Sequence, residues 1–260
     1  MINFQERIKK IRSAVDLSLQ LGKVEFKLRN EGSYLGIFWY LLNPLLTFGL
    51  LFLVFSDRLG SDIPRYALYL LLGVIMFNFF QSSTIESATS ILKDYRWVIK
   101  SINFSREALV ASIVLKNLFS HSFELLFFIL VLLFFKISLV GILFYLVILF
   151  LLCLFTFGIS LILSSLTVYF VDMESIWSFA VRLLWLGTPI FYTIAGQKRL
   201  YSINLLNPMY YFITVARDVV VYTRMPSFSM VLVMIFFSLI SLFVGLFVFN
   251  ILRNKFAEKI

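Results

Sequence analysis

Six stretches of this chain are apolar and long enough to cross a membrane, at approximately residues 37–55, 66–85, 110–135, 140–166, 176–194 and 228–251. A helix needs about 20 such residues to cover the hydrocarbon core of a bilayer. Inside that core every backbone N–H and C=O must be satisfied within the protein, so long apolar runs of this kind become helices. The sequence therefore predicts an all-α integral membrane protein with six transmembrane helices. Of its 260 residues, 61% are hydrophobic and 14% charged, whereas soluble domains keep about a quarter of their residues charged.

The intervals between the stretches are informative. Only a few residues around Lys136 separate the third from the fourth, which predicts a tight hairpin, while 195–227 separates the fifth from the sixth. Residues 1–20 lack the apolar core of a signal peptide. They place Phe4, Ile8, Ile11, Val15 and Leu19 at helical spacing opposite Arg7 and Lys10, the pattern of an amphipathic helix lying in the membrane interface. The predicted organisation is an interfacial helix with its connector (1–36), a six-helix transmembrane domain (37–251) and a tail (252–260).

Charge orients this arrangement. With both termini inside, the inner segments carry fourteen Lys and Arg residues and the outer segments seven, so the positive-inside rule places the N- and C-termini in the cytoplasm. The net charge is +9, but the cations cluster beside the apolar stretches. That distribution fits the anionic headgroups of membrane lipids and not nucleic acid. The last outer loop holds four of the seven outer cations, Lys198, Arg199, Arg217 and Arg224. Within it, Asn207 and Pro208 read as a helix cap followed by a proline at the first helical position. The apolar segment from Met209 to Tyr222 is too short to span and is predicted to be re-entrant, packed within the outer side of the bundle.

Several chemistries are excluded. No Gly-x-x-x-x-Gly-Lys-Ser/Thr loop occurs, so nothing cradles a nucleotide phosphate. One histidine and one cysteine, Cys153, rule out a conventional zinc or haem site within the chain. No metal or cofactor is expected to bind it.

Polar residues inside the apolar stretches are the candidate functional groups. Lys116, Asn117, Ser120, His121 and Glu124 form a stripe covering less than half of the third helix. A charge near a helix centre costs roughly 2.5–3.5 kcal/mol on insertion scales, so the stripe must face protein or water. A helix-pinning network, with Glu124 paired to a Lys or Arg, is favoured over direct substrate contact. Arg182, about two turns into the fifth stretch, sits where a cation could meet a lipid diphosphate arriving from the inner leaflet. Trp39, Tyr40, Trp177, Trp185 and Tyr192 fit either an interfacial aromatic belt or a path lined with flat apolar faces. In the inner loop at about 87–107, Lys93, Tyr95, Arg96, Trp97 and Lys100 combine aromatic anchors with charges, as a short helix that plugs a partner's groove does. Lys27 and Arg29, ahead of the first span, are the second candidates for such a contact.

The order of these features resembles a known family. Phe26-Lys27-Leu28-Arg29, then Gly32-Ser33-Tyr34-Leu35-Gly36-Ile37-Phe38-Trp39 and Leu42-Asn43-Pro44-Leu45-Leu46, resemble the approach to the first span of ABC-2 type permeases, especially those exporting O-antigen, capsule and teichoic acid polymers. Lys100-Ser101-Ile102-Asn103-Phe104-Ser105-Arg106-Glu107 is similar to the family's segment before the third span. Thr188-Pro189-Ile190-Phe191-Tyr192 resembles an element late in the fifth, and Asn207-Pro208-Met209-Tyr210-Tyr211 through Ala216-Arg217-Asp218 its last outer loop. The resemblance implies a permease subunit of the bacterial inner membrane, two copies forming a path at their interface. It also implies two separate ATPase subunits that bind ATP and Mg, and a lipid-linked polysaccharide as substrate. It places an outer gate at Pro208, Met209, Tyr210, Tyr211, Arg217 and Asp218. An ABC-2 permease for a drug or small amphiphile is the near alternative. An integral-membrane transferase using Lys116, His121 and Glu124 is a more distant one.

Overall fold

The computed structural model describes residues 4–30, 34–36, 38–60, 62–93, 106–170, 172–194 and 197–252. Among them the chain is built from helices joined by turns: α1 (Phe4–Asn30), α2 (Phe38–Leu59), α3 (Tyr66–Lys93), α4 (Arg106–Phe134), α5 (Val140–Thr167), α6 (Met173–Gly187), α7 (Lys198–Asn204), α8 (Pro208–Ala216) and α9 (Phe228–Leu252), with a π-helical turn at Arg217–Val221. Five of these are long and apolar enough to cross a membrane: α3, α4, α5, α9 and most of α2. The chain is a multi-pass membrane protein.

The predicted stretch at 176–194 differs in form. Its helix, α6, has 15 residues and ends at Gly187. Thr188 is extended, with φ −82° and ψ 135°, because the ring of Pro189 excludes the helical conformation from the residue before it. At the other end of the chain the helix predicted over about 1–20 continues to Asn30. Likewise α3 runs past the predicted boundary at 85 to Lys93. Thr84 and Ser87 keep their hydroxyls bonded to the carbonyls of Phe80 and Ser83, four residues back, so neither interrupts the helix.

The hairpin around Lys136 is closed by a Schellman motif. Ile137 N–H bonds to the Leu132 carbonyl and Lys136 N–H to that of Leu133, both at 3.0 Å. Lys136 adopts the left-handed conformation, φ 54°, that such an end requires.

Helix α3 is the centre of the bundle, with 78% of its apolar window buried, whereas α2 has only 11% buried. Helices α5 and α9 make the tightest pair. A Cβ on Gly158 would lie 2.3 Å from the Ser241 carbonyl carbon, and one on Gly245 would lie 2.4 Å from the Gly158 oxygen. Ser241 Oγ donates to the Phe155 carbonyl at 2.8 Å. Between helices in lipid, dispersion at close approach and hydrogen bonding replace the hydrophobic effect, and small residues make that approach possible. On α1, Gly22 allows similar proximity to α4, while Phe26 stacks on Phe123 at 6.0 Å and meets Phe119 edge-on. Val15 and Leu19, on the predicted apolar face of α1, remain exposed.

Candidate functional site

Three polar assemblies sit within this apolar frame. The first is the stripe on α4. Lys116 Nζ lies 3.0 Å from Glu86 of α3 and 3.5 Å from Glu25 of α1. Asn117 donates to Glu86 at 2.8 Å, and Ser120 to the Lys116 carbonyl at 3.3 Å. One turn further along, His121 and Glu124 are almost wholly buried, at 1% and 3% exposure. His121 Nδ1 is 3.0 Å from Glu124 Oε2 and its Nε2 is 2.8 Å from the Tyr145 hydroxyl of α5. Asn78 of α3 donates to the other Glu124 oxygen at 2.7 Å. The partners of Glu124 are thus a histidine and an amide in place of the expected Lys or Arg. Lys116 is already held by two carboxylates a turn away. Lys116, Asn117, His121 and Glu124 each find a partner on another helix, while Ser120 bonds within α4, and the stripe ties α1, α3, α4 and α5 together. Burial pushes the Glu25 carboxyl above the ordinary carboxylate range, although Lys116 and Ser112 both favour its charged form.

The second assembly is a cleft of about 430 Å³ between α2, α3 and α6, lined by Asn43, Pro44, Thr47, Val74, Asn78, Gln81, Arg182, Trp185 and Leu186. Arg182 is exposed on the cleft, and no described residue forms an ion pair with it. The cleft thus offers one cation, several amide groups, a hydroxyl and an indole at a single opening. Of the candidates read from the sequence, it unites Arg182 and Trp185. Trp177 instead packs edge-on to Phe80 at 6.5 Å, Trp39 is exposed near the start of α2, and Tyr192 belongs to the third assembly.

That third assembly is a knot at the end of the bundle where α2 gives way to α3. The extended segment after α6 exposes its carbonyls, and neighbouring side chains cover them. Tyr66 donates to Phe191, and Tyr69 to Pro189 and Tyr192. Arg217 is 3% exposed. Its Nε, Nη1 and Nη2 donate to the carbonyls of Tyr69, Pro189 and Ile190 at 3.0, 2.6 and 2.8 Å, and its guanidinium carbon lies 3.3 Å from the Tyr69 ring centroid. Asn207 caps α8 by accepting from Met209 N–H, and its amide donates to Thr188 Oγ1 at 2.8 Å. Tyr192 Oη donates to the Gly187 carbonyl at 2.9 Å and Tyr211 Oη to that of Leu205 at the same distance. Asp218 accepts from Arg224 at 2.9 and 2.6 Å. Met209, Tyr210, Tyr211, Arg217 and Asp218 are all buried here, with Pro208 at the first position of α8.

Lys27 is exposed on α1. Tyr95, Arg96, Trp97 and Lys100, together with the side chains of Arg29, Tyr40 and Lys93, lie outside the described residues. Sequence reasoning missed Glu25, Asn78, Gln81, Glu86 and Tyr145. The signal was there for two of them, since Asn78 and Gln81 are polar residues three apart inside an apolar run, which marks a face turned away from lipid.

Residues 18–221 match the model of the family described as ABC-2 type transporter. Over 248 residues the chain is 26% identical to an O-antigen export system permease protein of Myxococcus xanthus, covering 94% of this chain and 95% of that one. It is 29% identical over 256 residues to a Klebsiella pneumoniae protein of the same description, covering 94% of each. A second such protein from Klebsiella pneumoniae is 28% identical over 250 residues, again covering 94% of each.

Proposed function

The chain belongs to the ABC-2 type transporter family, and from that premise we propose that it is the permease subunit of an ATP-driven exporter of lipid-linked polysaccharide. ATP and Mg bind a separate ATPase subunit, two copies of which join two copies of this chain. The curated relatives, similar along nearly their whole length, are named for O-antigen export. Both termini are cytoplasmic and the membrane is the bacterial inner membrane, in keeping with the excess of basic residues on that side.

In this reading α6 and the extended segment after it cross together as a sixth span. Fifteen helical residues rise about 22 Å, and the extended residues add enough to cover a core about 30 Å thick. Segment 208–221 enters from the outer side and turns back, with its backbone sheltered by α3, α5 and α9. The two copies meet through α2 and α6. Leu46, Leu50 and Leu53 of α2 and Phe179, Leu183 and Leu186 of α6 are exposed apolar residues available for that contact.

The observation that carries the substrate class is the cleft around Arg182. A guanidinium offers a fork of donors to a diphosphate, Trp185 a flat face to a sugar ring, and Asn43, Asn78 and Gln81 exchangeable hydrogen bonds to hydroxyls. The inner loop around Tyr95 and Trp97 transmits the ATPase stroke.

The test is reconstitution with the ATPase subunit in proteoliposomes, followed by ATP-dependent movement of a polyprenyl-diphosphate-linked glycan. Arg182→Ala should lower movement with insertion and ATPase binding intact, and Arg182→Lys should restore it only in part. Transport of small amphiphiles without the glycan would establish the drug-permease alternative. Unchanged export by Arg182→Ala would remove the phosphate contact.

A further inference from the structure

Away from the cleft, α5, α9 and the π-helical turn enclose a second concavity of about 650 Å³ that none of the chemistry above uses. Its walls are apolar, including Phe144, Val147, Leu151, Val231 and Ile235, and its polar groups are Arg224, Thr223 and Ser138. The lining residues of α5 run from Val140 to Leu151 and those of α9 from Phe228 to Ile235, so the groove occupies only the first part of each helix. At 1.5 Å per residue it extends about 16 Å into the bundle. That is half of a hydrocarbon core about 30 Å thick, which is the depth of one leaflet. All three polar groups precede the first turns of these helices, at the headgroup end. Gly141 shapes the floor, because a Cβ there would sit 2.6 Å from the Val219 carbonyl oxygen.

From this match of depth and polarity we infer that the groove holds the acyl chains of a phospholipid of the outer leaflet, with its phosphate on Arg224. Arg224 has the geometry for it. Asp218 engages only Nε and Nη2, both through one carboxylate oxygen, and the side chain is 65% exposed. Asp218 leaves Nη1 and its two hydrogens available to a further acceptor. The ion pair with Asp218 holds the guanidinium at the mouth and leaves it able to accept an anion. The inference uses the orientation proposed above only to name the leaflet, and the lipid site stands or falls independently of the exported substrate. It also gives a role to one of the four cations in the last outer loop, which an outer segment does not otherwise call for.

Native mass spectrometry of the full-length protein tests the site, with dioleoyl phosphatidylglycerol and dioleoylglycerol titrated as separate probes. Phosphatidylglycerol should be retained better than dioleoylglycerol. A cation beside a lipid phosphate contributes roughly a fivefold gain in affinity, so Arg224→Ala should cut phosphatidylglycerol retention by about that factor, leave dioleoylglycerol unchanged, and be partly repaired by Arg224→Lys. Val147→Trp, which fills the groove from a lipid-facing position, should reduce retention of both while melting temperature stays that of the parent. Equal retention of phosphatidylglycerol by parent, Arg224→Ala and Val147→Trp overturns the inference. So does a change of oligomeric state in Val147→Trp, which would identify the occupant as a second copy of the chain.

Discussion

Among the described residues Arg217 is the one cation buried without a carboxylate beside it, and its replacement distinguishes a structural strap from a substrate contact. Three main-chain carbonyls from two separate segments converge on its guanidinium, which also lies against the Tyr69 ring. A hydrogen bond within a membrane protein contributes between about 0.6 and 1.7 kcal/mol, and a desolvated cation–π contact about 2 kcal/mol. Roughly 5 kcal/mol of favourable contact therefore offsets a burial cost of roughly 3 kcal/mol for the charge. Arg217→Ala loses the contacts and the cost together, a net loss of about 2 kcal/mol. Arg217→Lys keeps the cost, reaches one carbonyl well and orphans the other two, so it should be no more stable than alanine. Both variants should melt about 4–8 °C lower than the parent in detergent, and a cysteine at Met209 should become reactive to external thiol reagents. Gly73→Ala provides an independent version of the same perturbation, since its Cβ would sit 2.5 Å from Arg217 Nη2 and displace the fork. A lysine variant that melts normally, keeps Met209→Cys protected and loses export would refute the strap and assign Arg217 to the substrate.

Further outcomes follow from other contacts. Gly245→Val should destabilise strongly or prevent accumulation, because its side chain would have to enter the Gly158 backbone, whereas Gly187→Ala, with open space around it, should accumulate normally on a blot. Glu25→Gln should be tolerated at pH 7, because Glu86 at 3.0 Å still pairs Lys116, while Glu86→Gln should cost more in thermal stability. Since burial raises the Glu25 carboxyl pKa, the native contribution of its protonated form is complete below the ordinary glutamate range. That contribution is lost as pH rises through the raised value. The parent should therefore gain on Glu25→Gln as the pH of the melting experiment falls toward 4.5. Tyr95→Ala combined with Trp97→Ala should weaken co-purification with the ATPase or uncouple its hydrolysis from export while insertion is kept, and normal assembly with normal coupling would shift the contact to Lys27 and Arg29.

The long helices were legible because their signal is local. A run of apolar residues states its own length, and Asn207 before Pro208 states a helix start that the structure completes with the Met209 N–H bond. What lay beyond reach was which face meets which. Glu25 and Lys116 are 91 positions apart, and nothing in either neighbourhood specifies the other. The helical spacing of Val15 and Leu19 pointed to an apolar face but could not say that Gly22, further along the same side, would be the residue to meet α4 while Val15 and Leu19 stay exposed. The end of α6 at Gly187 was readable in principle from Thr188 and Pro189, since a proline restricts the residue before it. The apolar run continuing to Ile194 concealed it, because hydropathy measures immersion and not conformation. The knot around Arg217 was invisible for the same reason that it is stable. Its acceptors are backbone carbonyls, which every residue carries and no sequence pattern marks.

The two polar assemblies near the middle of the bundle are joined at a single residue. Asn78 gives one amide hydrogen to Glu124 while it lines the cleft beside Arg182. Glu124 is itself oriented by His121, and His121 by Tyr145. Where Nδ1 donates to the carboxylate and Nε2 accepts the tyrosine hydroxyl, the donations from α5 and α4 converge on Glu124 with the one that Asn78 makes from α3. In a medium of low dielectric such a chain fixes the direction of its last dipole more firmly than water-exposed bonds could. The Asn78 amide at the cleft is therefore held by residues of three helices acting together, and a change at Tyr145, which does not line the cleft, should alter the position of that amide. Hydrophobic residues could hold the helices together as well; what this costly set of polar groups adds is a bonded connection from α5 to a residue that lines the cleft.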